Sequence, residues 1–196
     1  MHVTIVASPT TKDSASRLAV PDTAGEATVR QHWPTEDECA FDAQALARVL
    51  TPALQQGASV LIELRGTLGA GKTTFTRHLL RALGVQGRIK SPSYAVVEPY
   101  EPQGLPVWHF DFYRFADPRE WEDAGFRDIF AGPGLKIVEW PDKAAGLLPP
   151  ADLMMDLDTD AEGARQVALR TRTPQGQGIL SALGAPASTS AGGHKA

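Results

Sequence analysis

The chain has 196 residues, a formal net charge of −4, 42% hydrophobic and 21% charged residues, an ordinary balance for one globular α/β domain with a substantial core. The acidic balance lacks the basic signature common in stand-alone nucleic-acid binders, and the single cysteine, Cys39, excludes an intrachain disulfide and fits a reducing compartment. No run approaches the ~20 apolar residues of a membrane span, and Met1–Ala7 lacks the charged start and long apolar stretch of a signal peptide, so the expectation is a cytoplasmic protein with no membrane partner.

Residues 1–28, rich in Ser, Thr, Ala, Asp and Pro without sustained periodicity, read as a flexible N-terminal extension. Val29–Trp33 reads as a short strand. Thr35 followed by Glu38 forms the capping-box pattern of a helix that carries Phe41, Leu46, Val49 and Leu50 and stops before Gly57. Cys39 falls in this apolar-patterned helix, a core position rather than that of a nucleophile. A strand at 60–64 enters a glycine-rich stretch, and a helix over 73–83 leaves it, with Gly84 as its C-cap. A loop at 85–92 leads to strands at Tyr94–Tyr100 and Leu105–Phe112, joined by the turn Pro102-Gln103-Gly104. A helix from Asp117 through Ala124 and a helical turn over Phe126–Phe130 come next. Leu135–Glu139 is a compact apolar strand of the kind buried in mid-sheet. Strands at Leu153–Leu157 and Gln166–Arg172 complete a domain over 29–173. Residues 174–196, with Gly, Ser, Ala and Pro, read as a flexible C-terminal tail. Strands mixed with helices and hairpins predict an α/β fold with a mixed parallel and antiparallel central sheet flanked by helices.

The stretch Gly66-Thr67-Leu68-Gly69-Ala70-Gly71-Lys72-Thr73 matches the P-loop pattern G-x-x-x-x-G-K-[ST] at every fixed position, and its strand–loop–helix context is the one the pattern requires. The glycines let consecutive backbone N–H groups converge on one anion, and the following helix adds its positive dipole end. Lys72 would reach the β- and γ-phosphates of a nucleoside triphosphate, and the Thr73 hydroxyl would sit on Mg²⁺. Gly66, Leu68, Gly69, Ala70, Gly71, Lys72, Thr73 and Thr74 are therefore the candidate nucleotide contacts of a single P-loop NTPase-like domain.

Such a loop needs an acid for Mg²⁺ and a group that orients the attacking nucleophile. Asp111 ends the apolar run Val107-Trp108-His109-Phe110, and Glu139 ends Leu135-Lys136-Ile137-Val138. Both stand where strand ends meet a phosphate loop. Either is a candidate Mg²⁺ ligand or water-orienting base, and the sequence leaves the division open. Ser93, in Lys90-Ser91-Pro92-Ser93-Tyr94, offers a hydroxyl from a loop that follows the P-loop helix, a candidate switch element. By alternation His109, Asp111 and Tyr113 share one strand face, which makes His109 either a core histidine or a partner of Asp111. Arg114 pairs with phosphate or with an acid such as Asp117. Trp140 either lines the nucleotide pocket or packs. Arg77, His78, Arg81, Arg88 and Lys90 form a solvated basic face or one turned toward RNA or a partner.

Several of these segments together resemble the TsaE (also called YjeE) family, P-loop ATPases of bacterial tRNA threonylcarbamoyladenosine biosynthesis. The resemblance rests on Gly69–Phe75, Lys90–Tyr94, Val97–Tyr100, His109–Arg114, Ala116–Pro118, Val138–Pro141 and Leu147–Pro149, in family order and spacing. It implies slow ATP hydrolysis with Mg²⁺ beside the partners TsaD and TsaB. Those partners transfer a threonylcarbamoyl group from its AMP adduct to N6 of the adenosine beside the tRNA anticodon. The ATPase is then a cycling or regulatory subunit that meets tRNA through the complex and is not itself the transferase. By position, Thr73 and Glu139 match the family's Mg²⁺-linked residues, Asp111 its essential acid, Lys72 its phosphate lysine, and Ser93 its switch hydroxyl. Lys72, Asp111 and Glu139 are thus the catalytic candidates, and Thr73, Asp111 and Glu139 the metal candidates. Glu36 matches a nucleotide-contacting region more loosely, and Trp140 falls in the matching Val138–Pro141 segment. Two positions depart from the family pattern: Thr67 stands where Asp is usual, and Ser93 where Thr is usual. A small-molecule kinase with a lid bearing Arg114, Arg119 and Arg127 is the alternative reading, and a nucleotide-dependent binding module is a third.

Overall fold

Two strands are almost wholly buried, as their apolar runs require of segments covered on both faces: β3 (Ser59–Arg65) and β6 (Gly134–Glu139). They pair in parallel at the centre of the sheet, Ile62 opposite Ile137. The computed structural model describes residues 18–21, 27–92, 94–115, 121 and 124–184. Among these, the other strands are β1 (Leu18–Pro21), β2 (Ala27–Trp33), β4 (Val97–Tyr100), β5 (Val107–Asp111), β7 (Leu153–Thr159) and β8 (Arg165–Thr171). The sheet order is β1-β2-β8-β7-β3-β6-β5-β4. β7, β3, β6 and β5 run parallel, and antiparallel pairings extend the sheet at both sides. The α/β class and the mixed sheet are as the sequence predicts.

Four α-helices accompany the described strands: α1 (Glu36–Gln55), α2 (Lys72–Ala82), α3 (Phe126–Ala131) and α4 (Pro174–Gly184). The capping box opens α1, with the Thr35 side chain accepting from the Asp37 N–H and Glu38 accepting from the Thr35 N–H at 3.0 Å. Leu46 and Leu50 of α1 turn inward, whereas Phe41 is 62% exposed. α1, α2 and α4 share one core with Val60, Ile62 and Leu64 of β3. The opposite face buries Leu61 and Val138 against aromatic rings, among them Phe110 and Phe130 with centroids 4.9 Å apart.

Two expectations need correction. Residues 174–184 are not a flexible tail but α4, because Ile179, Leu180 and Leu183 recur at helical spacing and bury in the same core as α1. Gly176 makes the docking possible, since a Cβ there would stand 1.9 Å from the Asp152 carbonyl oxygen. Nor is all of 1–28 an extension: Leu18–Pro21 pairs antiparallel with β2, which itself begins at Ala27. The rest of that stretch, residues 1–17 and 22–26, and residues 185–196 lie outside the described residues, as does most of the helix expected from Asp117. The strand expected from Tyr94 begins only at Val97, after Val96 takes a positive φ of 67°.

Candidate functional site

β3 carries the chain to the C-terminal edge of the sheet, where Gly66 turns it at φ +137°. A Cβ at this position would lie 2.2 Å from the Leu157 carbonyl oxygen, so the close passage of the loop over β7 requires glycine. The loop ends at Gly71, the N-cap of α2. α1 has three acids in its first turn and a side-chain cap, but α2 has neither. The start of α2 therefore has no acid or side-chain cap of its own to offset its positive end, the condition that favours an anion.

Lys72 is 4% exposed. Its Nζ donates to the carbonyls of Gly66 and Thr67 at 2.7 and 2.8 Å and lies 3.9 Å from the centre of the Trp140 ring. Burial pulls its pKa below the ordinary lysine value, opposed by the charges of Glu139 and Asp111. Those two acids end adjacent strands and face each other in register. Glu139 is held at both oxygens: Oε2 accepts from Thr73 Oγ1 at 2.9 Å, and Oε1 lies 2.8 Å from His109 Nε2. Asp111 accepts from the Tyr113 N–H at 3.0 Å and from the Ser91 hydroxyl. Trp140 sits in the left-handed region at φ +59°, a strained conformation for an aromatic residue, and this turn sets its indole over Lys72 and 5.0 Å from the Tyr113 ring.

These groups surround a cavity of about 230 Å³, with Leu68, Gly69 and Gly71 on its loop side. A second cavity, of about 300 Å³, opens on the other side of Gly71, between Trp33, Glu36, Cys39, Thr74 and Arg165. Glu36 meets His78 Nε2 at 2.8 Å there. Arg165 donates to the carbonyls of Gly69 and Ala70 at 3.3 and 3.4 Å, tying the β7–β8 hairpin to the loop. Burial pushes the Cys39 thiol up to about 12, which suits a wall residue and not a nucleophile. Among the described residues no three His, Cys, Asp or Glu side chains gather into a metal cage. One or two carboxylates and a hydroxyl beside a phosphate site are instead the donor set that suits Mg²⁺, which keeps much of its water.

Of the candidates read from sequence, the first cavity gathers Leu68, Gly69, Gly71, Lys72, Thr73, Asp111, Glu139 and Trp140, and the second Glu36 and Thr74, with Gly71 common to both. Gly66 and Ala70 form the loop's base, Ala70 buried at 1%. Ser93 lies outside the described residues; the Ser91 hydroxyl, two positions earlier, donates to Asp111. His109 partners Glu139 rather than Asp111, through a cross-strand register that a single sequence does not display. Arg114 stacks on the Tyr94 ring at 4.3 Å. In the basic cluster, Arg77, Arg81, Arg88 and Lys90 are exposed. Arg165 escaped the sequence reading because a lone arginine opening a late strand carries no local signal.

The described residues form an α/β domain with a mixed sheet, and the loop between β3 and α2 carries the glycine spacing of the P-loop sequence pattern. The family model described as "Threonylcarbamoyl adenosine biosynthesis protein TsaE" matches residues 36–167. The chain is 39% identical over 156 residues to the tRNA threonylcarbamoyladenosine biosynthesis protein TsaE of Haemophilus influenzae, covering 80% of this chain and 98% of that relative. It is 35% identical over 126 residues to the protein of the same description in Bacillus subtilis, covering 64% of this chain and 77% of that one. The crystal structure of Bacillus subtilis YdiB shares the fold, with a TM-score of 0.66 at 22% identity over 80% of this chain and 93% of that one. The chain belongs to the TsaE family, whose proteins take part in tRNA threonylcarbamoyladenosine biosynthesis. No helix among the described residues is long and apolar enough to cross a membrane.

Proposed function

We propose that this chain binds ATP with Mg²⁺ in the glycine-loop cleft and hydrolyses it slowly, as an accessory subunit that drives or resets the transfer cycle of TsaD and TsaB in the cytoplasm. The observation that carries the reading is the convergence of Lys72, Thr73, Asp111 and Glu139 on one cavity at the bare start of α2. The second cavity, across Gly71, has room for the nucleoside, with Trp33 and Arg165 as its walls. Lys72 and the loop amides stabilise charge on the phosphates. Thr73 and Glu139, already joined by a hydrogen bond, hold the metal. Held there, Mg²⁺ would supply positive charge against the phosphates. Asp111, on the neighbouring strand, positions the attacking water. The output is a change of conformation passed to the partners, and tRNA is met through them.

The test is ATP hydrolysis by the purified chain, alone and with TsaD and TsaB from the same source, with Lys72→Ala as control. The expected result is Mg²⁺-dependent turnover that the partners stimulate and the substitution abolishes. Tight ATP binding without stimulation by active partners would overturn the accessory role and call for a screen of metabolite phosphate acceptors.

A further inference from the structure

We propose that His109 is a positioning residue that presets Glu139 for Mg²⁺; the inference rests on the ATP–Mg²⁺ reading above. His109 is fully buried within β5. Its Nε2 makes a 2.8 Å contact with Glu139 Oε1, while its Nδ1 is buried with no hydrogen-bond partner among the described residues. A buried polar atom left without a partner is uncommon and disfavoured. An aliphatic residue would fill this core position without that penalty. The one polar interaction that the imidazole makes is therefore what distinguishes it from a packing residue, and that interaction goes to the acid beside Thr73. With the Glu139 carboxylate as acceptor, Nε2 is the ring nitrogen that carries the hydrogen.

The geometry gives the contact a purpose. Glu139 bridges His109 and Thr73, one oxygen to each, at 2.8 and 2.9 Å. Anchoring Oε1 fixes the carboxylate plane and leaves Oε2 turned toward the Thr73 hydroxyl at the cavity. A side chain so held has lost its rotational freedom before a metal arrives, the usual service of a partner behind a metal ligand. Register explains how β5 can provide it. Asp111 stands opposite Glu139 and His109 opposite Ile137, so the imidazole reaches diagonally along the same face to the end of β6.

The test is calorimetric titration of ATP into the wild type, His109→Leu, His109→Gln and His109→Asn, each with Mg²⁺ and with EDTA, with thermal melting as the check on folding. A Gln amide nitrogen reaches roughly where Nε2 stands, and the shorter Asn amide does not. In His109→Leu the gain in ATP affinity due to Mg²⁺ should fall by about tenfold or more, while affinity in EDTA stays within about twofold of wild type. His109→Gln should keep most of the gain and His109→Asn should not. In a Glu139→Gln background, His109→Leu should add no further loss. A full Mg²⁺ gain in folded His109→Leu overturns the proposal, as does an equal loss with and without Mg²⁺. If His109→Leu does not fold, equal gains in the Gln and Asn variants overturn it. A wild type whose ATP binding ignores Mg²⁺ overturns the nucleotide–metal reading itself, a failure visible without any variant.

Discussion

Lys72 and Lys136 are both buried, at 4% and 1% exposure, and stand at opposite ends of the sheet, yet the molecule uses them in opposite ways. Lys136 shares its face of β6 with Val138 and is surrounded by fixed acceptors. Its Nζ donates to Ser59 Oγ at 2.9 Å, to the Gly134 carbonyl at 3.3 Å and to the Gly132 carbonyl just past the end of α3. Three acceptors saturate an ammonium, and a cation at a helix C-terminus is well placed. Lys72 also donates to carbonyls, but these belong to a glycine loop beside an open cavity, and two carboxylates oppose the effect of its burial. A buried lysine therefore does not by itself mark a site. What marks one is whether its donors end on a fixed frame or face a space where a ligand can replace the partners.

The largest expected effect sharpens that contrast. Lys72→Ala should lower ATP hydrolysis by roughly 10²- to 10³-fold, the scale of removing one preorganised donor from a developing negative charge. Lys136→Met, compared in the same assay at pH 7, should stay within about twofold of wild type wherever it remains folded. Equal losses in the two variants would erase the distinction. Next in size is Asp111→Asn, which removes a charge and keeps the shape. Hydrolysis should fall by roughly 10²-fold, with ATP affinity in equilibrium titration changed by only about threefold. A matching loss of affinity would make Asp111 a binding residue and not the one that positions water.

How much of this was legible in the sequence divides along the same line. The loop, its two flanks and the acids Asp111 and Glu139 could be read because each is a local pattern: fixed glycine spacing, or a carboxylate closing an apolar run. The pairing of His109 with Glu139 could not, because alternation orders residues along one strand and says nothing of the register between strands. The bond from the Ser91 hydroxyl to Asp111 could not be read either, because it depends on the approach of the loop to β5. α4 was hidden by composition, since Gln and Gly around Gly176 resemble a linker until α1 is present to bury Ile179 and Leu183. The frame around Lys136 carries no local signal, because its acceptors come from the turn between α3 and β6 and from β3.

Stability against pH probes the fixed member of the pair. Burial pulls Lys136 from 10.5 down to about 8, with Asp152 opposing. A base whose pKa is lower folded than unfolded takes up a proton on unfolding between those two values. Its burial is therefore unfavourable in full below about pH 8, and the penalty fades as pH rises toward 10.5. The stability of wild type minus that of Lys136→Met, from urea denaturation across this window, should rise with pH by up to about 3 kcal/mol. Other titrating groups are common to both proteins and cancel in the difference. A flat difference would mean that the ammonium is solvated, and the contrast with Lys72 would lose its basis.

The smallest effect belongs to Thr67, where the family usually carries Asp. The Thr67 side chain is exposed, and the part of this residue that matters to Lys72 is its carbonyl, which accepts from Nζ at 2.8 Å and from the Ala70 N–H at 3.2 Å. Thr67 takes part in both bonds through its backbone carbonyl, so Thr67→Asp leaves them in place. The added carboxylate is solvated, and its repulsion of bound phosphate is weakened by water and salt. ATP affinity at physiological ionic strength should therefore change by no more than about threefold, and more at low salt than at high. A much larger change that persists at high salt would show that the side chain at this position shapes the loop. The hold on Lys72 would then depend on sequence as well as on backbone, and the glycine loop would resemble the fixed frame around Lys136 more closely than its open cavity suggests.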